Sequence, residues 1–164
     1  MKRNLFIGLI VVIAALVVFL IIKGVSEFEP LGEIVPIMGN NHIQVNAPHE
    51  PYNSNPPTSG PHAEDVDWGI YQEEILDENV IHNLEHGGVW ITYQDKNNQE
   101  LETKLEELVK QYKSKVILSP RSANDSPVAV VSWGRIMKLN DFDAEKINRF
   151  IKQYKNKGPE FIPD

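Results

Sequence analysis

Five prolines lie between Pro48 and Pro61, and this density limits what that part of the chain can form. A proline fixes φ and removes a backbone N–H donor, so the segment cannot be a helix and is a poor central strand. The surrounding stretch, residues 42–63, is nevertheless not of low complexity. Long irregular loops inside compact domains are usually either functional or disordered. We therefore expect the regular scaffold to lie elsewhere in the chain.

A second constraint is an unbroken apolar run of 18 residues, Leu5–Ile22. As a helix it would be about 27 Å long, close to the hydrocarbon thickness of a bilayer. Lys2 and Arg3 precede it, so the positive-inside rule predicts a cytoplasmic N-terminus and an external remainder. The run is longer than a signal-peptide core, and no convincing cleavage site follows it. The sequence thus predicts a single-pass protein of the cell membrane with a retained signal-anchor.

These features predict three parts: a cytoplasmic stub and transmembrane anchor at 1–23, a linker at 24–41, and one soluble extracytoplasmic domain at 42–164. The first 23 residues hold three of the 16 basic residues and no acidic ones, so the rest has 13 basic against 23 acidic residues, a net charge of −10. This balance disfavours nucleic acid and anionic lipid as partners and favours a cation.

Some chemistries are excluded by what the sequence lacks. The chain has no cysteine, which excludes disulfides, thiol redox chemistry and thiolate metal sites. It also has no phosphate-binding glycine loop and no dinucleotide fingerprint, so no nucleotide cofactor is expected.

Regular periodicity begins at residue 77. Apolar residues at helical spacing and clusters of β-branched residues predict helices over 77–86, 98–113 and 143–157, and strands over 89–93, 115–118 and 128–133. The β-α-β-β-α order predicts a parallel pair for the first two strands and a hairpin for the last two. The predicted fold class is α+β, or small α/β: a sandwich with helices on a small mixed sheet, preceded by the transmembrane helix and the proline-rich irregular segment.

All five histidines lie in the irregular half of the chain, at His42, His49, His62, His82 and His86. Histidine is the commonest protein metal ligand, and functional residues concentrate on loops held by a rigid frame. On a helix, His82 and His86 would share a face with Cβ atoms about 5–6 Å apart, which suits two imidazoles on one metal ion. Alternatively, His86 only stabilises the C-terminus of the helix.

A third histidine, His62, ends the segment Pro-Pro-Thr-Ser-Gly-Pro-His, in which the prolines order the loop before any ligand binds. We predict a metal site formed by His62, His82 and His86. Further candidate ligands are His42, Glu85 and Met38. Imidazole ligands suit copper or zinc, and the Irving–Williams order favours copper at an unguarded site.

Several sequence blocks carry a family resemblance: PPTSGPH at 56–62, HNLEHGGV at 82–89, WGR at 133–135 and GPE at 158–160. Together they resemble a bacterial family known as domain of unknown function 3105, over about residues 34–160. The resemblance implies a bacterial and usually membrane-anchored protein. It implies no activity, so the function has to be argued from the residues.

Three functions fit these observations. The favoured hypothesis is a metal-binding module that buffers, delivers or senses copper or zinc. The second is a small metallohydrolase, because His82-x-x-Glu85-His86 matches the inverted zinc-protease motif in which the glutamate, here Glu85, activates water. The third is a non-catalytic assembly or recognition domain with structural histidines. The sequence alone decides neither enzymatic activity nor a protein partner.

Overall fold

The structure is a computed structural model, and it describes residues 11–20, 24, 29–160 and 162–163. The chain divides into two compact units, Met1–Pro30 and Leu31–Asp164. In the first unit residues 11–20 are helical and expose their large apolar side chains. The predicted domain boundaries and the predicted extracytoplasmic location stay predictions.

The predicted transmembrane helix requires a correction. Of the apolar run at 5–22, residues 5–10 and 21–22 lie outside the described residues. In the part of the chain that the structure describes, no helix is both long enough and apolar enough to cross a membrane. The transmembrane component of the predicted fold class is therefore wrong, and membrane anchoring is unsupported.

Among the described residues, the strands are β1 (Glu33–Ile34), β2 (Gly69–Ile70), β3 (Val89–Tyr93), β4 (Val116–Pro120), β5 (Val128–Ser132) and β6 (Arg135–Leu139). They form one mixed sheet in the order β1-β6-β5-β3-β4-β2. Strand β4 runs parallel to β3 and β2, and the other pairs are antiparallel. The α+β class, the mixed sheet and the parallel β3–β4 pair agree with the prediction.

The predicted hairpin between the strands at 115–118 and 128–133 is wrong. Strand β5 instead pairs with β3 and forms a hairpin with β6, in which Ser132 faces Arg135. The two residues between them make the turn, and Gly134 adopts a φ of 67°, a conformation that glycine takes without strain. This tight turn places β6 beside β5 and leaves β4 to pair on the far side of β3.

Three helices follow in the second unit: α1 (Asp77–Glu85), α2 (Gln99–Val109) and α3 (Ala144–Tyr154). The side chains of Asn98 and Asp143 cap α2 and α3 by accepting hydrogen bonds from backbone N–H groups of the first turn. Helix α1 stops before Gly87, whose φ of 79° is the left-handed conformation that ends many helices. All three were predicted, and α2 and α3 are shorter than expected.

Alternating strand residues contribute to two apolar layers, one on each face of the sheet. The frame face packs α2 and α3 on the sheet and includes Ile91, Val130, Leu105, Ile147 and Phe150. The site face packs α1 on the sheet and includes Val80, Leu84, Trp90, Ile117 and Val131. The proline-rich segment is hydrogen-bonded to two elements of the site face. Ala63 N–H donates to Glu78 C=O in α1, and Gly134 N–H in the β5–β6 turn donates to Thr58 C=O.

Candidate metal centre

His62 lies at the end of the proline-rich segment and is held by its backbone. Its N–H donates to Asn41 C=O at 3.0 Å, and its C=O accepts from Ile43 N–H at 2.8 Å. Since these two bonds flank residue 42, they place His42 alongside His62 as a short parallel bridge. The two imidazole centroids are 4.7 Å apart. Backbone pairing thus brings together two histidines that are separated by 19 residues.

Helix α1 supplies His82 and Glu85, which lie three residues apart and therefore on one face. The His82 ring centroid is 4.8 Å from that of His42 and 4.9 Å from that of His62. Glu85 Oε2 is 3.0 Å from His62 Nε2 and 3.6 Å from His42 Nε2. We term these four residues the inner group.

The inner group is compact enough for a metal ion after a small contraction. One donor atom from each of its four residues lies within 4.8 Å of the others. Ligand atoms about 2.0–2.1 Å from a tetrahedral ion would be about 3.4 Å apart. Side-chain rotations that shorten these donor–donor distances to about 3.4 Å would therefore bring the four donors onto one ion.

Hydrogen bonds decide which ring nitrogens are free. His62 Nδ1 lies 2.8 Å from Gly60 C=O, and His82 Nδ1 lies 2.7 Å from Ala63 C=O. Because a carbonyl oxygen only accepts, each Nδ1 carries the hydrogen, and in the neutral ring Nε2 keeps its lone pair. Bonds of this kind orient metal-binding imidazoles and make them more basic. Both rings therefore offer Nε2 as a donor atom.

The buried ring of His62 lacks a hydrogen-bond partner at Nε2 in the described part of the chain. Its side chain is fully buried, and burial lowers its pKa below the usual 6.5, against the opposing effects of Gly60 C=O and the Glu85 carboxylate. Glu85 Oε2 is close, yet it lies outside the direction of a ring N–H, and Nε2 has no hydrogen-bond partner among the described residues. Within the ranges that the structure describes, the buried Nε2 therefore has no hydrogen-bond partner although a carboxylate oxygen lies 3.0 Å away, an arrangement that a cation bound to both atoms would stabilise.

His86 belongs to a second group at the end of α1. Donor atoms of His82, His86 and Glu160 lie within 4.8 Å of one another. His86 Nε2 is 3.4 Å from Glu160 Oε2, and His86 Nδ1 is 3.6 Å from Asp65 Oδ2. We term His82, His86, Glu160 and Asp65 the outer group. The histidine trio suggested by the sequence is therefore divided between two groups that share His82.

Glu160 reaches His86 because the C-terminal segment returns over the end of α1. Asn156 N–H donates to Gly87 C=O at 2.8 Å, and Glu160 N–H donates to Glu85 C=O at 3.2 Å. A Cβ at Gly158 would overlap the Glu85 carbonyl, so the close approach requires glycine at that position. Sequence reasoning missed Glu160 and Asp65, since no local spacing connects either of them with His86.

Met38 and His49 lie outside both groups. The Met38 sulfur accepts a hydrogen bond from Asn53 N–H at 3.1 Å. His49 Nε2 is 3.5 Å from a carboxylate oxygen of Glu78, and its ring lies against Tyr52. Of the additional ligands considered from the sequence, His42 and Glu85 are therefore in the inner group and Met38 is engaged elsewhere.

Residues 42–162 match the family described as Protein of unknown function (DUF3105). The chain belongs to this family. The predicted family is thereby confirmed, and the matched range of DUF3105 includes every residue of the inner and outer groups. No curated protein and no solved structure matches the chain.

In this DUF3105 chain, Arg121 joins the two elements that carry the inner histidines. Its Nε and Nη2 donate to the two carboxylate oxygens of Asp77, each at 2.7 Å, and its Nη1 donates to Asn55. A bidentate pair of this kind is both strong and geometrically specific. Asp77 begins α1 and Asn55 lies in the proline-rich segment, so one side chain fixes the position of His82 relative to that of His62.

Proposed function

We propose that this protein binds one copper or zinc ion through His42, His62, His82 and Glu85, and that it holds or transfers the ion. The observation that carries the proposal is the buried Nε2 lone pair of His62, 3.0 Å from Glu85 Oε2. A cation bound to both atoms would give the buried Nε2 the partner that it lacks among the residues described, and would pair with the carboxylate. The carbonyl bonds at Nδ1 of His62 and His82 support it, because they orient both rings beforehand.

The donor set argues for the class of ion. Three imidazoles and one carboxylate suit divalent zinc or copper, whereas a preference for monovalent copper would require sulfur ligands. The chain contains no cysteine, and the sulfur of Met38 is engaged with Asn53. The net charge of −7 also favours the approach of a cation.

The exposure of the ligands argues for exchange. The His42 side chain is 63% exposed, whereas those of His62 and Glu85 are 0% and 3% exposed. An ion would therefore be reached from the His42 side, and His42 can move without disturbing the packed core. Structural zinc sites are closed, so an exposed ligand on a surface segment suits loading and release better than a permanent structural role.

The position of Glu85 favours binding over hydrolysis. In the hydrolase hypothesis His82 and His86 hold the metal and Glu85 activates a water molecule. Here the Glu85 carboxylate faces His42 and His62 and is available as a ligand. Four protein ligands leave a tetrahedral ion without the open position that catalytic zinc sites keep. Hydrolysis of generic peptide or ester substrates by the metal-loaded protein would contradict this proposal.

Titration of the untagged full chain with Zn²⁺ and with Cu²⁺, against a competing chelator, tests the proposal. We expect one tightly bound ion per chain and a loss of affinity of at least about 100-fold in His62→Gln. The matched control is His49→Gln, which removes a histidine outside both groups and should bind as the parent does. Circular dichroism verifies that both variants fold. Unchanged affinity in a folded His62→Gln variant would overturn the proposal.

A further inference from the structure

The outer group differs from the inner group in exposure and charge. Its two carboxylates are well exposed, with side-chain accessibilities of 55% for Glu160 and 48% for Asp65, whereas Glu85 in the inner group is 3% exposed. Between them lies the His86 ring, which is only 8% exposed. Each of its nitrogens faces a carboxylate oxygen at a distance longer than a good N–H···O hydrogen bond. In the neutral ring the nitrogen that carries the hydrogen can donate to one acid, which for Nδ1 is Asp65, and Nε2 can then bind a cation together with Glu160.

His82 belongs to both groups but has one ring nitrogen to offer. Its Nδ1 is occupied by the hydrogen bond to Ala63 C=O, so Nε2 is the only nitrogen left. While that bond persists, His82 can bind an ion in the inner group or in the outer group, but not in both. The two groups therefore provide alternative positions for one ion rather than a centre for two.

The direction of transfer follows from ligand chemistry. Exposed carboxylates attract hydrated cations at long range and raise association rates. Imidazole-rich sets bind zinc and copper more tightly than carboxylates do. The outer group has the carboxylates at the surface, and the inner group has three histidines, two of which are oriented by backbone carbonyls. An ion captured at the outer group would therefore be more stable after moving inward.

We propose that His86 and Glu160, with Asp65, form an outer capture position, and that the shared His82 passes the ion from there to the inner group. This inference rests on the proposed metal site and adds its route of loading. The C-terminal segment is essential to the route, because backbone bonds beside Gly158 hold Glu160 against the end of α1. The inner group itself uses no residue of that segment.

Stopped-flow mixing of the full chain with Zn²⁺, followed with a chromophoric chelator, tests the route. Glu160→Gln should load at least about 10-fold more slowly than the parent, because it removes the capturing charge and ligand. Its equilibrium affinity should stay within about two-fold of the parent, so release slows by the same factor as loading. The matched control is Glu107→Gln, an exposed glutamate on α2, which makes the same charge change and should load like the parent.

The two proposals fail in different ways. If His62→Gln binds Zn²⁺ as tightly as the parent, the inner site itself is wrong. If tight binding requires His62 but Glu160→Gln loads as fast as Glu107→Gln, only the capture position is wrong. Binding of two ions per chain, or a loss of equilibrium affinity in Glu160→Gln as large as its loss of rate, also overturns the capture position. Weak residual binding in His62→Gln that disappears on adding Glu160→Gln supports it.

Discussion

The two faces of the sheet differ in what their buried residues are. The frame face is almost wholly aliphatic and aromatic, and its buried side chains include Ile91, Val130 and Phe150. Around α1, on the site face, polar side chains are buried as deeply, with accessibilities of 0% for His62 and 3% for Glu85. Apolar burial stabilises in proportion to area, whereas a buried polar group is unfavourable unless it has a partner. The apolar packing of the frame face thus stabilises the domain and offsets the unfavourable burial of polar groups on the site face, which are available for binding.

The largest effect is expected on the frame face. Phe150→Ala should lower the free energy of unfolding by about 3–5 kcal/mol, because a fully buried ring leaves a cavity between α3 and the sheet. Urea unfolding at pH 7 measures this change. The Zn²⁺ affinity of the folded variant should stay within about two-fold of the parent. A folded Phe150→Ala protein that no longer binds Zn²⁺ would show that the two faces are not separable in this way.

Arg121→Gln is the substitution that should affect both stability and binding. It leaves the half-buried Asp77 without its bidentate partner, and we expect a loss of about 2–3 kcal/mol in unfolding free energy. Because Arg121 also joins α1 to the proline-rich segment, Zn²⁺ affinity should fall about 10-fold.

The control for Arg121 is Lys96→Gln, which breaks the exposed Lys96–Glu73 pair and should change stability by less than about 1 kcal/mol. Both variants are measured by urea unfolding and by chelator competition. If Arg121→Gln destabilises the fold while Zn²⁺ affinity is unchanged, Arg121 does not position the site.

A smaller effect is expected at the start of α3. Asp143→Ala removes the cap that accepts from Lys146 N–H, which should cost about 1 kcal/mol without affecting the metal site. The same hydrogen bond lowers the pKa of Asp143 below its usual 3.8. The stabilisation is therefore complete above pH 3.8 and is lost as pH falls through the lower pKa of the folded state.

Unfolding of the parent and of Asp143→Ala across this pH range measures the cap. The difference between them should shrink below pH 3.8. Asp143→Asn is the control, since asparagine caps helices about as well as aspartate and does not titrate. A difference that is independent of pH would mean that the carboxylate charge of Asp143 contributes nothing.

The elements of the frame face could be predicted from the sequence, whereas the strands at and near the edges of the sheet could not. Strands β3 and β5 and helices α2 and α3 have long apolar patterns of the right period. Strand β6 was not predicted because Arg135 and Lys138 interrupt its apolar residues. Strands β1 and β2 are two residues long and exist only through pairing with β6 and β4.

Most residues of the inner group could be named from the sequence, whereas their division into two groups could not, and the metal site itself stays a prediction. His62, His82 and Glu85 were named from the proline-rich segment and the helix, and the structure brings them together. The i, i+4 spacing also joined His86 to the set, but spacing along a helix does not fix the direction of a ring. The His86 ring faces Asp65 and Glu160, and Glu160 is 74 residues further along the chain. Only the tertiary fold determines such a contact.

Glu85→Gln should change stability in the opposite direction. It replaces a carboxylate oxygen near His62 Nε2, which is unpartnered among the described residues, by an amide. The amide N–H₂ can donate to that nitrogen, so a contact between two acceptors becomes a hydrogen bond. Without metal we expect the variant to be more stable than the parent by about 0.5–1.5 kcal/mol. With Zn²⁺ at 100 times its Kd, the parent should gain about 2.7 kcal/mol, whereas Glu85→Gln should gain little.

Urea unfolding with chelator and with Zn²⁺ measures both differences, and Glu107→Gln serves as the control for loss of one acidic charge. Functional sites are commonly less stable than they could be, because their residues are arranged for function. If Glu85→Gln is more stable than the parent without metal and binds Zn²⁺ more weakly, the His62–Glu85 contact is where stability is lost in favour of binding. If Glu85→Gln is instead less stable than the parent in chelator, the His62–Glu85 contact is favourable by itself. The unsatisfied lone pair would then give no reason to place a cation there.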